Sequence, residues 1–324
     1  MSIAARRIVA LLAGALLVVL TACGGGDQES ARDAAGDSVI VEHKFGETVV
    51  PADPKRVVTV GWNDQDFVLA LGVRPVAARS FFDNYDSFPW VQKATDGTPI
   101  PTWGADTIDF EAIAKEKPDV IFAIYETIDE PTYRRLSQIA PTIIQTDAYA
   151  DEETPWDVQL LTTGRALGRE QKAQELVDRV NGRIDEARRS NPEFAGKVLV
   201  EDFGPEDGGH YLLGANDPRR SLFTALGFGT QDVTGDLSEE KLALLDRDVL
   251  FVNGATPGQM LDSPAFSRLN VVKDGRTLYT SFDSNLSGAL TYSGPQALEY
   301  ALDTLVPQLS NALNGRPVAD LTNA

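Results

Sequence analysis

Cysteine is nearly absent: of 324 residues, only Cys23 carries a thiol. No disulfide can hold this fold, so burial of apolar surface must. Histidine is almost as scarce. His43 and His210 stand far apart in the chain, which excludes the several-imidazole site that zinc or manganese would want. No resident metal or cofactor is expected. Positive charge is short as well, with 29 Lys and Arg against 48 Asp and Glu and a formal net charge of −19. Nucleic acid and anionic membrane surfaces both ask for a basic face, so neither is the expected partner. No phosphate-cradling glycine loop, Gly-x-Ser-x-Gly elbow or clustered His/Asp set occurs. An enzyme on this scaffold stays open only because a fold does not fix function.

Long apolar runs are missing too, with one exception at the start. Ile8 to Leu20 follows Arg6-Arg7, and it is shorter than the roughly 20 residues a membrane span needs. It suits the apolar core of a secretory signal. Leu20-Thr21-Ala22-Cys23 resembles the lipobox of bacterial lipoproteins, in which the cysteine is lipidated and becomes the new N-terminus. Residues 1–22 are therefore read as a signal peptide. Residues 23–38, opening with Gly24-Gly25-Gly26, read as a flexible tether. The expected location is the outer face of the cytoplasmic membrane, with membrane contact through lipid alone.

The remainder alternates strand and helix. Arg56-Val57-Val58-Thr59-Val60, Asp119-Val120-Ile121-Phe122-Ala123-Ile124 and Thr142-Ile143-Ile144-Gln145-Thr146 are short runs rich in β-branched or apolar residues, of the kind buried on both faces. Helical segments lie between them, which predicts a parallel sheet with helices on both sides. From Pro155 to Arg189 no strand signal or further proline intervenes, and apolar residues recur at helical spacing. A helix of that length would reach ~50 Å and would serve to join two lobes. A second α/β series follows, with strands at Lys197–Val200, Asp248–Val252 and Thr277–Tyr279.

The two halves also resemble each other. Asp109 to Ile124 aligns without a gap on Ser238 to Asn253, placing Glu111 on Glu240, Ala114 on Ala243, Asp119 on Asp248 and Phe122 on Phe251. The fold class is thus α/β: two Rossmann-like lobes with parallel sheets (39–154 and 191–324), one long linking helix (155–190), and a ligand cleft between the lobes.

Several segments in order resemble the iron-siderophore, haem and cobalamin binding proteins of bacterial ABC importers. They include Pro51-Ala-Asp-Pro-Lys-Arg-Val-Val-Thr-Val, Leu69-Ala-Leu-Gly-Val-Arg-Pro-Val, Glu111-Ala-Ile-Ala-Lys-Glu-Lys-Pro-Asp-Val-Ile and Tyr292-Ser-Gly-Pro-Gln-Ala-Leu. The resemblance implies a monomeric carrier of a ferric siderophore whose partner is an ABC permease, with a haem or corrinoid carrier as the alternative. It also implies that Glu111 and Glu240 dock on permease arginines, one per lobe. Read without the resemblance, each is a carboxylate favoured by the dipole of a helix start.

Ligand candidates are residues expected where strand ends meet the cleft. Trp62, Trp103 and Tyr125 offer flat apolar faces and a phenol, and the tryptophans serve equally well as packing. Arg79, Arg219 and Arg220 offer planar cations for the oxygens of a chelate, many of which are anionic. Tyr292 sits where some relatives place a tyrosine near iron. His210, in the acidic, glycine-rich segment Glu206-Asp-Gly-Gly-His, is expected to be exposed. For haem, His210 with Tyr125 or Tyr292 would be the axial candidates.

Overall fold

The computed structural model describes residues 38–79, 81–104, 107–203 and 209–324. The signal peptide, Cys23 and all but the last residue of the tether lie outside these described residues. A hairpin comes first, β1 (Val39–His43) against β2 (Gly46–Val50). The first lobe then builds β3 (Val57–Thr59), β4 (Ala77–Arg79), β5 (Thr102–Trp103), β6 (Val120–Ala123) and β7 (Thr142–Ile144). They form one parallel sheet in the order β5-β4-β3-β6-β7.

The second lobe builds β8 (Leu199–Phe203), β9 (His210–Leu212), β10 (Gly235–Leu237), β11 (Val249–Asn253) and β12 (Thr277–Thr280), in the matching order β10-β9-β8-β11-β12. Here the expectation of a parallel sheet needs correcting. β8, β11 and β12 are parallel, but β9 runs antiparallel to both β8 and β10. Only residues 204–209 separate β8 from β9, too few for the crossover of a dozen or more that parallel neighbours need.

Why the strands read as unbroken apolar runs is visible in where alternate residues go. In the first lobe Val57, Val120, Phe122 and Ile143 enter one core, and Val58, Ile121, Ala123 and Ile144 enter another. In the second, Leu199, Val249 and Phe251 enter the first of those cores, while Val200, Leu250 and Val252 enter a third. One central core therefore takes a face of both sheets and runs through the molecule, with a smaller outer core on each lobe. The described residues, from 38 to 324, form one compact unit around it.

The internal repeat has a structural counterpart. Asp119 accepts the backbone N–H of Lys55 and Arg56 at the start of β3, both at 2.8 Å. Asp248 accepts the backbone N–H of Val198 at the start of β8 at 2.9 Å and the Lys197 ammonium at 3.0 Å. The two aspartates fix equivalent strand starts. The preceding helices differ: Asp109 caps the helix Phe110–Lys115 by accepting from Glu111 and Ala112, whereas the side chain of Ser238 caps nothing and Glu239–Leu245 is a 3-10 helix.

The linking segment is two helices, Trp156–Ala166 and Glu170–Ser190, not one. Gly168 takes φ +64° and ends the first, a conformation glycine adopts freely. The chain then turns so tightly that a Cβ on Gly164 would stand 2.5 Å from that of Ala173. The first helix packs on β1 and on the helix Asp64–Ala70, and the second on the helices Ser221–Ala225 and Pro295–Leu313. The lobes also meet directly. Phe88 stands over Gly288, where a Cβ would fall 2.2 Å from the ring, and the tilted rings of Tyr85 and Tyr292 lie 4.6 Å apart.

Candidate ligand-binding cleft

The cleft begins at the point where the first sheet's order reverses, between β3 and β6. Ligands of open α/β sheets collect at such switch points, outside the C-terminal strand ends. Trp62 follows β3 and Tyr125 follows β6, and the Trp62 N–H donates to the Tyr125 carbonyl at 3.0 Å. Asp64 ties these ends together. Its buried carboxylate accepts from the N–H groups of Gly61 and Ile124, each at 3.1 Å, and Tyr125 at 3.3 Å. Burial raises its pKa to about 6 against the opposing pull of those three donors. Gly61 has no room for a side chain, since a Cβ there would lie 2.4 Å from the carboxylate.

The resulting cleft encloses about 760 Å³ between the lobes. Trp62, Phe81, Tyr125 and the acidic run Asp151-Glu152-Glu153 form the first lobe's wall, and Tyr211, Asn216, Asp217, Arg219, Thr234 and Thr291 contribute to the second's. Phe81 meets Trp62 edge-on at 5.4 Å and reaches Phe282 of the second lobe at 6.1 Å. Burial pushes the Tyr125 phenol well above its usual pKa, so it faces the cleft as a neutral hydroxyl. Four rings set among carboxylates, hydroxyls and one guanidinium suit a bulky solute that carries both apolar flanks and polar atoms.

The three arginines do not come together at the cleft. Arg79 is buried beneath Trp62, its guanidinium 3.6 Å from the ring centroid, and is ion-paired with Glu126. Glu126 is half-desolvated, which raises its pKa to about 7 against the opposing charge of Arg79. Arg219 does line the cleft, but Asp217 grips it through two bonds, at 2.9 and 2.6 Å, and its guanidinium lies over the Phe203 ring at 4.5 Å. Arg220 is fully buried and donates to the carbonyls of Leu199 and Gly229. It faces the sheet and the buried Glu201, whose pKa desolvation raises to about 8 despite Arg220's charge. It braces β8 and does not touch the cleft.

Two aromatic candidates also sit elsewhere. Tyr292 is fully buried among Phe82, Tyr85 and Phe88. Its neighbour Thr291 reaches the cleft instead, because adjacent helical residues point in different directions. Trp103 lies on the edge strand β5, against the first lobe's outer core. Of the named candidates, then, Trp62, Tyr125 and Arg219 share the cleft wall, and Arg79 stands behind it. Phe81, Tyr211 and Glu152 were not anticipated. Phe81 follows the end of β4 closely, so the strand-end rule that selected Trp62 and Tyr125 reaches it, whereas Glu152 lies well along the loop after β7, beyond that rule.

His210 is buried, not exposed as expected, and its Nδ1 lies 2.6 Å from the Asp202 carboxylate. His43 is buried between Thr48 at 3.0 Å and Tyr133 at 3.1 Å. Neither His210 nor Tyr292 lines the cleft, so the axial pair considered for haem is not assembled there. Among the described residues, no three His, Cys, Asp or Glu side chains converge as metal ligands. Glu111 and Glu240 are both exposed, each in the helical first turn that precedes β6 or β11.

The model of the periplasmic binding protein family matches residues 57–283. The probable siderophore-binding lipoprotein YfiY of Bacillus subtilis is 24% identical over 285 residues, which cover 80% of this chain and 85% of that protein. A periplasmic solute binding protein from Mycobacterium smegmatis has a TM-score of 0.79 at 30% identity, covering 85% of this chain and 99% of that one. The iron uptake ABC transporter substrate-binding protein PiaA from Streptococcus pneumoniae has a TM-score of 0.72 at 26% identity, covering 86% and 100%. With two sheets facing one cleft and the family's model matched from β3 to beyond β12, the chain belongs to the periplasmic binding protein family and is a solute-binding protein, not an enzyme.

Proposed function

We propose that this protein is an extracytoplasmic lipoprotein, anchored through Cys23, that captures a ferric siderophore and delivers it to an ABC importer. The ring-walled cleft of Trp62, Phe81, Tyr125 and Tyr211 is the observation that carries the reading. Its size suits a whole chelate, and its surfaces suit the apolar flanks of one. The likeness to a siderophore-binding lipoprotein and to an iron-uptake binding protein supports the choice of solute. Among the described residues no helix is long and apolar enough to cross a membrane, and attachment through lipid alone fits that body. Trp62 and Tyr125 contact the chelate, Arg219 offers it the free edge of its guanidinium, and Arg79 holds Trp62 in place. Glu111 and Glu240 engage the permease, one from each lobe.

A tryptophan-fluorescence titration of the full-length protein tests the solute. The panel holds ferric hydroxamate, catecholate and citrate-type chelates, their iron-free forms, and haemin. Saturable quenching by a ferric chelate at submicromolar concentration, largely lost in Trp62→Phe, is the expected result. A response to haemin alone would replace the siderophore with haem. Docking has its own test: Glu111→Lys with Glu240→Lys abolishes iron uptake by cells, and unchanged uptake would remove these residues from the permease contact.

A further inference from the structure

The charge of the cleft follows from its ion pairs. Asp151 is neutralised by the Lys44 ammonium at 2.6 Å, and Asp217 by Arg219. Behind the wall, Arg79 and Glu126 are paired with each other. Glu152 and Glu153 remain. Both line the cleft, and neither has a cationic partner among the described residues. Glu152 is also held deliberately. Its backbone takes φ +61°, a conformation that costs a non-glycine residue energy, and its carboxylate accepts from the Thr127 hydroxyl at 3.1 Å. Among the described residues the cavity is thus a ring-walled space with two surplus negative charges and no surplus positive one. Aromatic faces add to this preference, since their quadrupoles attract cations.

An anionic chelate would enter against that field and find the charges of Arg79 and Arg219 already neutralised by Glu126 and Asp217. Three hydroxamates cancel the charge of ferric iron, whereas three catecholates leave a trianion. We propose that the cleft selects ferric chelates without net negative charge, and above all cationic ones such as a ferric trihydroxamate bearing a pendant ammonium group. The inference rests on the siderophore-carrier reading and names its substrate class. The ammonium meets Glu152 and Glu153 at the first lobe's rim, while the hydroxamate core sits against Trp62 and Tyr125.

The test compares three probes by titration of the full-length protein at low and high salt. They are a ferric trihydroxamate with a free pendant amine, the same chelate with that amine acetylated, and a ferric tris-catecholate. The ammonium form is expected to bind about tenfold more tightly than the acetylated form at low salt, the scale of a charge contact in a partly desolvated site. The gap should shrink as salt is raised and narrow in the Glu152→Gln/Glu153→Gln variant, and the tris-catecholate should bind weakest. Equal binding of the two hydroxamate forms at low salt, or tightest binding of the catecholate, overturns the charge inference and leaves the carrier reading intact. Failure of every ferric probe to bind overturns both.

Discussion

The guanidinium of Arg79 lies 3.6 Å from the ring centroid of Trp62 and is ion-paired with Glu126, buried and outside the lining of the cleft. A residue that sequence suggested as a ligand contact packs instead against Trp62, which lines the cleft. Arg79→Ala removes that packing and leaves Glu126 buried without its cation. Because Glu126 can then take a proton, the expected loss is at the low end for a broken buried pair, about 3 kcal/mol, measured by urea unfolding. A loss below about 1 kcal/mol, the level of exposed pairs, would contradict this placement.

Stability should fall, not rise, between mildly acidic and mildly alkaline pH. Burial raises Asp64 to about 6, Asp66 and Glu126 to about 7, and Glu201 to about 8. In the unfolded chain these groups lose their protons near 4. The folded state therefore holds protons that the unfolded state has released, and stability is fully present below the unfolded pKa and drains away as pH climbs through the folded values. Carboxylates shifted the other way, such as Asp248 and Asp129, lose their contribution only in stronger acid. The melting temperature is expected to peak near pH 4, about where the unfolded carboxylates titrate, and to drop steadily toward pH 8. A maximum at pH 7 or above would show that the buried carboxylates are not protonated.

Asp64 is the latch of the cleft, and its removal should be felt in both fold and binding. Asp64→Ala orphans three buried N–H groups, each worth about 1–3 kcal/mol when unpaired, partly relieved by entering water. Destabilisation of about 3 kcal/mol with weakened chelate quenching of Trp62 is expected. An unchanged titration in the variant would mean that strand ends β3 and β6 hold their positions without it.

The lobes should barely move on loading. Both sheets share one core, and the Phe88 ring fills the space over Gly288. Small-angle scattering is expected to give nearly the same radius of gyration with and without chelate. Gly288→Leu, which overfills that contact, should cost about 1–3 kcal/mol and separate the lobes. A large compaction of the natural protein on loading would contradict a fixed junction.

What was legible in sequence was whatever local pattern encodes. Strands buried on both faces read as short apolar runs, so β3, β6, β7, β8 and β11 could be placed, and the Asp119/Asp248 correspondence followed from their helices. Less legible was anything decided by partners distant in the chain. Arg79 pairs with Glu126 and Arg220 turns toward Glu201, and no spacing rule connects such residues. Tyr292 and Thr291 differ only by the rotation of one helical residue, which periodicity does not resolve finely. The break at Gly168 was foreshadowed by the glycine itself, but the apolar period continued through it and outweighed the signal.

The most direct measurement of the central claim is the anomalous scattering of iron in crystals of the protein loaded with a ferric chelate. The account predicts one iron position, inside the cleft between the Trp62–Tyr125 wall and the wall carrying Tyr211 and Arg219. Iron bound elsewhere on the molecule, or an empty cleft at saturating chelate, would contradict it.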